Sequence, residues 1–209
     1  GHMDMLTRFF RKETSKDRLG WGRTKHIMRG HAEKDFWRWV CSWARACRKP
    51  SDLGFSDTGY ELPPLITQEK TVAPRKTKSG YLIDPAALTL PEQREEQRRT
   101  VAERCEMVAE LVDHDRPAVT WCQLNAEGKL LAKLIPGSVE VSGTDSDEKK
   151  EEAFAAFTAG QIRVLVTKPE IAGFGLNWQH CNHVVTFASH SYEQHYQSVR
   201  RCWRFGQKR

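Results

Sequence analysis

The chain has 209 residues, with 33 Lys and Arg against 27 Asp and Glu, a formal net charge of +6, 39% hydrophobic residues and 29% charged ones. That length suits one domain with an appendage or two small domains, and the composition excludes global disorder while leaving a heavily charged surface. No run approaches the roughly 20 apolar residues of a membrane span, and no charged, apolar, small-residue order marks a signal peptide.

A soluble cytoplasmic protein with no membrane partner is therefore expected. Six cysteines, Cys41, Cys47, Cys105, Cys122, Cys181 and Cys202, are scattered rather than closely paired, which fits a reducing compartment better than a disulfide scaffold. His180-Cys181-Asn182-His183 is too tightly spaced for the usual zinc knuckle, so no metal site is expected. Gly1-His2-Met3 reads as the scar of an expression tag, leaving residues 1–3 outside the fold argument.

From Leu6 to Gly30 the chain is basic, Gly-containing and weakly periodic, which reads as loop-rich. Phe36, Trp39, Val40, Trp43 and Cys47 then place an apolar stripe on one face of a helix that ends before Pro50. A core-packing helix is the plainer reading, with an exposed aromatic docking surface as the alternative. Residues 51–80, with Leu62-Pro63-Pro64-Leu65 and a basic stretch from Lys70 to Lys78, read as connecting chain. A helix follows, capped by Thr89 with Pro91 in its first turn and with Val101, Cys105, Val108 and Val112 on its buried side.

Beyond Pro117 the pattern becomes regular. Ala118 to Cys122 reads as a strand, Glu127 to Ile135 as a helix, and Val139 to Val141 as a strand. Asp147 to Ala159 reads as a helix closed by Gly160. Strands at Arg163 to Thr167 and Val184 to Phe187 precede a last helix from Ser191. Strands alternating with helices predict an α/β domain, a parallel sheet covered on both faces.

A nucleotide hydrolase with its own phosphate cradle needs Gly-x-x-x-x-Gly-Lys-Ser/Thr. The sequence has none, and Gly128-Lys129 lacks both the earlier glycine and the following hydroxyl. In the last helix, Ser191 and Gln194 have capping-box spacing. Tyr192, Tyr196, Val199 and Trp203 form one line, expected to be buried, and Gln197, Arg201 and Arg204 form another. Two permanently charged planar forks side by side suit phosphate oxygens, although on spacing alone a solvated basic face is the plainer reading. Gly173-Phe174-Gly175-Leu176-Asn177 follows a buried strand, where a parallel sheet offers strand ends to ligands. Its bland reading is a tight turn.

The ordered set of Trp121-Cys122-Gln123, Gly143 with the helix through Phe157, Val164 to Thr167 running into Gly173 to Asn177, and Gln197-x-x-x-Arg201-x-x-Arg204-x-Gly206-Gln207 resembles the second RecA-like lobe, the helicase C-terminal domain, of superfamily-two helicases. The last signature most resembles the Swi/Snf-like DNA translocases, including bacterial and phage members. Where such motors carry Arg-Arg-x-Lys, this chain has Arg48-Lys49-Pro50-Ser51.

The resemblance implies a RecA-like parallel β-sheet flanked by helices over 89–209, expected to stop short of a final strand. A helical and loop-rich inter-lobe segment with an aromatic helix would precede it over 4–88. It also implies a parent that is an ATP-dependent DNA helicase or translocase of a bacterium or phage-infected cell. ATP and Mg2+ would be held mainly by an N-terminal RecA-like lobe absent from this chain. By carry-over, Arg204 is the arginine finger, Arg201 stands beside it and Gln197 orients the group. Gly173, Gly175 and Asn177 couple nucleotide to DNA, while Gln123, Asn125, Thr167 and Lys168 contact the DNA phosphate backbone. The chain by itself is expected to be inactive. The competing readings are a non-enzymatic nucleic-acid-binding module with the same fold and a nucleotide-dependent transferase.

Overall fold

The computed structural model describes residues 2–16, 22–75, 86–172 and 175–208. The chain divides into two units, Gly1–Asp57 and Thr58–Arg209.

In the first unit, helix α1 (His2–Phe9) leads into an antiparallel hairpin of β1 (Phe10–Lys16) and β2 (Gly22–Met28), and α2 (Glu33–Trp43) follows a single 3-10 turn at Gly30–Ala32. The loop-rich stretch expected between Leu6 and Gly30 is thus corrected to a helix and a hairpin. A two-stranded ribbon has no buried face that demands apolar alternation, so periodicity does not reveal it. Its pairing sets Glu13 opposite Lys25 and Thr14 opposite Thr24, cross-strand combinations that favour the ladder.

Helix α2 carries the expected stripe, but it ends at Trp43 and Ala44 turns extended, with φ −105° and ψ 144°. Asp52 captures the following chain, its carboxylate accepting from the backbone N–H groups of Arg48 at 2.8 Å and Lys49 at 3.3 Å. Cys47 is left exposed outside the helix. Nor does the stripe form a core, because no residue of α2 is fully buried. Only its inner edge packs, with Phe36 and Trp39 against the buried Phe9 at ring separations of 5.4 and 5.7 Å.

The second unit is built on two four-residue apolar runs, β3 (Ala118–Trp121) and β5 (Val164–Thr167), every residue of which is buried. With β4 (Val139–Glu140) and β6 (His183–Thr186) they form a parallel sheet in the order β4-β5-β3-β6. Period-two alternation divides the core. Ala118, Val164 and Val166 face α4 (Val101–Leu111) and α5 (Asn125–Leu134), meeting Cys105, Val108, Val112, Leu131 and Ile135. Val119, Trp121 and Leu165 face the other way, onto Ala153 and Phe157 of α6 (Asp147–Thr158), and onto Trp178, Cys181 and Cys202. The α/β class and the parallel sheet covered on both faces are therefore as the sequence predicts.

The helix capped at Thr89 is two helices. Helix α3 (Leu90–Arg99) has a capping box between Thr89 and Glu92, and it stops where the Thr100 hydroxyl donates to Glu96 O at 2.7 Å. Such back-bonding competes with the helical ladder. Only α4 beyond it has buried residues. Inside α5, a Cβ at Gly128 would stand 2.5 Å from Glu140 Oε1, so a larger residue there would push that carboxylate aside. After β5 come the short helix α7 (Pro169–Ala172) and, beyond β6, α8 (Tyr192–Cys202).

Candidate functional site

Helix α8 starts as its cap predicts, with the Ser191 hydroxyl accepting from Gln194 N at 3.2 Å. Its rotation differs from the expectation. Ser198, Arg201 and Cys202 are buried, whereas Tyr192 is 79% and Tyr196 43% exposed. Small residues allow the helix backbone to approach the Trp178 to Cys181 segment, where Trp178 N donates to Arg201 O at 2.8 Å. The bulky tyrosines are turned outward instead.

This rotation brings the motif residues together. Arg201, only 8% exposed, donates from Nε to Gln197 O at 3.1 Å, from Nη2 to Gln197 Oε1 at 2.9 Å and from Nη1 to Leu176 O at 3.2 Å. Arg204, half-buried, donates from Nη1 to Asn177 Oδ1 and, at 3.4 Å, to the same Leu176 carbonyl. Gly175 begins this loop with φ +80° and open space around a notional Cβ, so backbone conformation and not crowding calls for glycine there. Gly173 lies outside the described residues. Burial lowers the pKa of Arg201 from its ordinary value, with the neighbouring Arg204 charge as the next cause. The cluster is therefore two cations held by carbonyl and amide oxygens, and an incoming anion would relieve their repulsion.

The chain around Arg204 is clamped from three sides. Trp203 Nε1 donates to Pro63 O at 2.8 Å. Tyr60 stacks on Phe205 at 4.7 Å. Gln207 Nε2 donates to Cys181 O at 2.8 Å.

The residues assigned to DNA form a second group at the carboxyl ends of β3 and β5. Thr167 is paired with Trp121 across the ladder, and Cys122 N donates to Thr167 O at 2.8 Å. A small cavity at this edge is lined by Asn125, Thr167 and Lys168 among others. Asn125 is exposed, Lys168 and Gln123 are half-buried, and Thr167 is 2% exposed with its hydroxyl donating to Val141 O at 3.1 Å. A cleft of about 350 Å³ lies elsewhere, lined by Arg116, Gln179, His180, Asn182 and Lys208 among others, and holds none of the candidate finger, coupling or DNA-contacting residues.

Sequence reasoning misses what holds this second group. Glu127 is 1% exposed, and its Oε2 accepts from Gln123 N at 2.8 Å and Leu124 N at 2.9 Å. Its Oε1 accepts from Arg104 Nη1 at 2.6 Å, while the Arg104 guanidinium lies 5.0 Å from the Phe187 ring centroid. The signal is a Glu at the third position of α5, hidden because Leu124 stands where a capping Ser or Thr would mark it. His183, from the segment weighed for metal, instead meets His114, ring nitrogen to ring nitrogen, at 2.5 Å.

A four-stranded parallel sheet with helices on both faces, and an arginine helix docked on the loop that follows a central strand, define a RecA-like α/β domain. Residues 103–206 match the helicase conserved C-terminal domain. Over that stretch the chain is similar to this domain family.

Solved structures similar to the chain include the C-terminal part of the Fun30 ATPase domain, at 16% identity and a TM-score of 0.44, covering 54% of this chain and 39% of that one. The RNA-helicase Prp28 from Chaetomium thermophilum bound to ADP is 19% identical with a TM-score of 0.43, over 49% of this chain and 27% of that one. The Mycobacterium smegmatis helicase Lhr bound to ssDNA and AMP-PNP is 18% identical with a TM-score of 0.44, over 50% and 15%. The chain thus spans well under half the length of each of these three. No curated protein sequence matches it. Among the described residues no helix is long and apolar enough to cross a membrane.

Proposed function

We propose that the chain is the second RecA-like lobe of an ATP-dependent DNA translocase of the Swi/Snf-like kind, of bacterial or phage origin, acting with an N-terminal lobe of the same parent protein. The observation that carries this reading is the convergence of Arg201 and Arg204 on the Leu176 carbonyl, with Gln197 accepting from Arg201 and Asn177 from Arg204. In this role Arg204 is the arginine finger, since it is the less buried guanidinium and makes fewer internal bonds. Arg201 is the positioning residue beside it, and Gln197 fixes the Arg201 fork. Gly175 and Asn177, with Gly173 by the motif, are the residues assigned to couple nucleotide state to DNA.

Asn125 and Lys168 offer exposed or half-exposed donors to phosphate oxygens, with Gln123 and Thr167 at the same edge. Contacts of this kind position a protein on DNA without reading its sequence. The arginine cluster presents guanidinium and amide groups, which suit phosphate oxygens and not a cation, so Mg2+ and most of the ATP are left to the first lobe. Neutralising charge on a transferring phosphoryl group is worth about 10³- to 10⁵-fold in rate.

The test is ATP hydrolysis by a version of the protein carrying both lobes, without DNA, with single-stranded DNA and with duplex, for wild type and Arg204→Ala. DNA-stimulated hydrolysis that disappears in the variant is the expected result. A well-folded two-lobed protein that binds DNA but hydrolyses nothing would leave only a binding module.

A further inference from the structure

The net charge is not spread over the molecule. Residues 1–57 contain 13 Lys and Arg against 7 Asp and Glu, whereas residues 58–209 contain 20 of each. The whole excess of +6 therefore belongs to the unit built from the hairpin and α2.

Within that unit the charge is accessible. Arg11 and Lys12 on β1, Lys25 on β2 and Arg29 just after it are all exposed. Lys12 pairs with His26 and Arg11 with Ile27, so basic side chains stand on both faces of the ribbon. Three tryptophans of α2 are open as well, Trp37 at 52%, Trp39 at 39% and Trp43 at 65% exposure. Their inner edges rest on other aromatic rings. Phe9 is buried and stacks on Trp39 at 5.7 Å, Trp39 meets Trp43 at 5.4 Å, and Phe36 meets Trp37 at 5.3 Å.

Rings held at one edge and open at the other, on a unit with an excess of cations, suit unpaired bases and their phosphates. Base stacking on aromatic rings needs no particular base, and the cations track the backbone. A membrane-surface helix needs a continuous apolar face, but the Phe36 side of α2 is already packed against Phe9 and Phe10.

We propose that residues 1–57 form a binding surface for single-stranded nucleic acid, with Trp37 and Trp43 stacking on unpaired bases and Arg11, Lys12, Lys25 and Arg29 holding phosphates. Its residues are distinct from the strand-end group and from the arginine helix, and it stands whether or not the chain serves an ATP-driven motor.

The experiment uses the full 209-residue chain and a fluorescein-labelled oligothymidylate of roughly 15 nucleotides. Binding should quench tryptophan fluorescence, and Trp37→Ala with Trp43→Ala should weaken it about tenfold or more. The corresponding Phe pair should restore most of the affinity, which a merely structural role for the indoles would not require. Lys12→Glu with Lys25→Glu should make the fall of log affinity with log salt shallower, by about 0.7 for each phosphate no longer held. The inference is overturned by a wild-type chain that does not bind the oligonucleotide, by Ala variants that bind as wild type does, or by a preference for anionic phospholipid vesicles. Since ATP hydrolysis does not enter the measurement, failure here leaves the reading of Arg204 untouched, and failure of Arg204 leaves this surface standing.

Discussion

The indole N–H of Trp203 donates a 2.8 Å hydrogen bond to the carbonyl of Pro63, 140 positions earlier in the chain. With Tyr60 stacked on Phe205, the two residues flanking Arg204 are both held by the Tyr60 to Pro63 segment. Trp203→Phe keeps the ring but removes the donor, so a loss of about 1 kcal/mol in urea unfolding is expected. Amide exchange of residues 60–66 should accelerate in the same variant. Unchanged protection there would show that the bond does not hold the segment.

Arg201 and Arg204 should separate by what they disturb. Arg201→Lys removes a fork bonded to Gln197 and Leu176 and should cost about 2 kcal/mol of stability. Arg204→Lys should stay within about 0.5 kcal/mol of wild type while abolishing hydrolysis in the two-lobed protein. Equal losses of stability from both would remove the distinction between a positioning arginine and a finger.

Glu127 should be among the most sensitive positions of the sheet domain. Replacing it by Ala leaves the Arg104 guanidinium without its carboxylate and orphans the N–H groups of Gln123 and Leu124. Breaking a buried pair from one side costs about 3 to 5 kcal/mol. Urea titration reads the loss directly, and a change under about 1 kcal/mol, on the order of a surface substitution, would contradict the buried geometry.

The pH dependence of stability follows from His183. Burial lowers its pKa from the ordinary value of 6.5, helped by His114 and then Arg116. The unfolded chain takes up a proton near 6.5 that the folded chain refuses, so stability falls as pH drops below about 6.5 and levels off beneath the folded value. His180 is lowered in the same direction, chiefly by burial. Denaturation midpoints measured from about pH 8 to about 5 should decline, and His183→Asn should flatten the curve.

Thiol reactivity should sort the cysteines into two classes. Cys41 and Cys47 are exposed, while Cys105, Cys122, Cys181 and Cys202 are buried. Burial pushes the Cys105 thiol up to about 12 and that of Cys122 higher still. An aromatic disulfide reagent added to the native protein should therefore label Cys41 and Cys47 quickly and the other four only after denaturation. Rapid labelling of a third thiol would mean that the sheet domain opens locally.

The elements of the sheet domain were legible because their signals are local. Val164 to Thr167 is a short continuous apolar run, and Ser191 and Thr89 announce helix starts with their own side chains. The hairpin of residues 10–28 escaped this logic, since both its faces meet solvent and nothing forces its residues to alternate. The stripe of α2 showed its period plainly, but period alone does not say whether a neighbour covers it.

The arginine site shows the same division. The spacing of Gln197 and Arg201 follows from helical geometry alone, and so does their shared side of α8, whereas Arg204 lies two residues past the end of that helix at Cys202. Which arginine is buried does not follow from that geometry. Only the docking of Cys202 and the Arg201 carbonyl against the Trp178 to Cys181 segment turned α8 so that Arg201 lies inside and Tyr192 outside. Likewise, Glu127 became an anchor only because the fold brought Arg104, 23 positions away, within 2.6 Å of it. Periodicity, caps and motif order are properties of neighbouring residues and can be read along the chain. Burial and partnership belong to residues that meet only after the sheet has closed, and tertiary packing alone decides them.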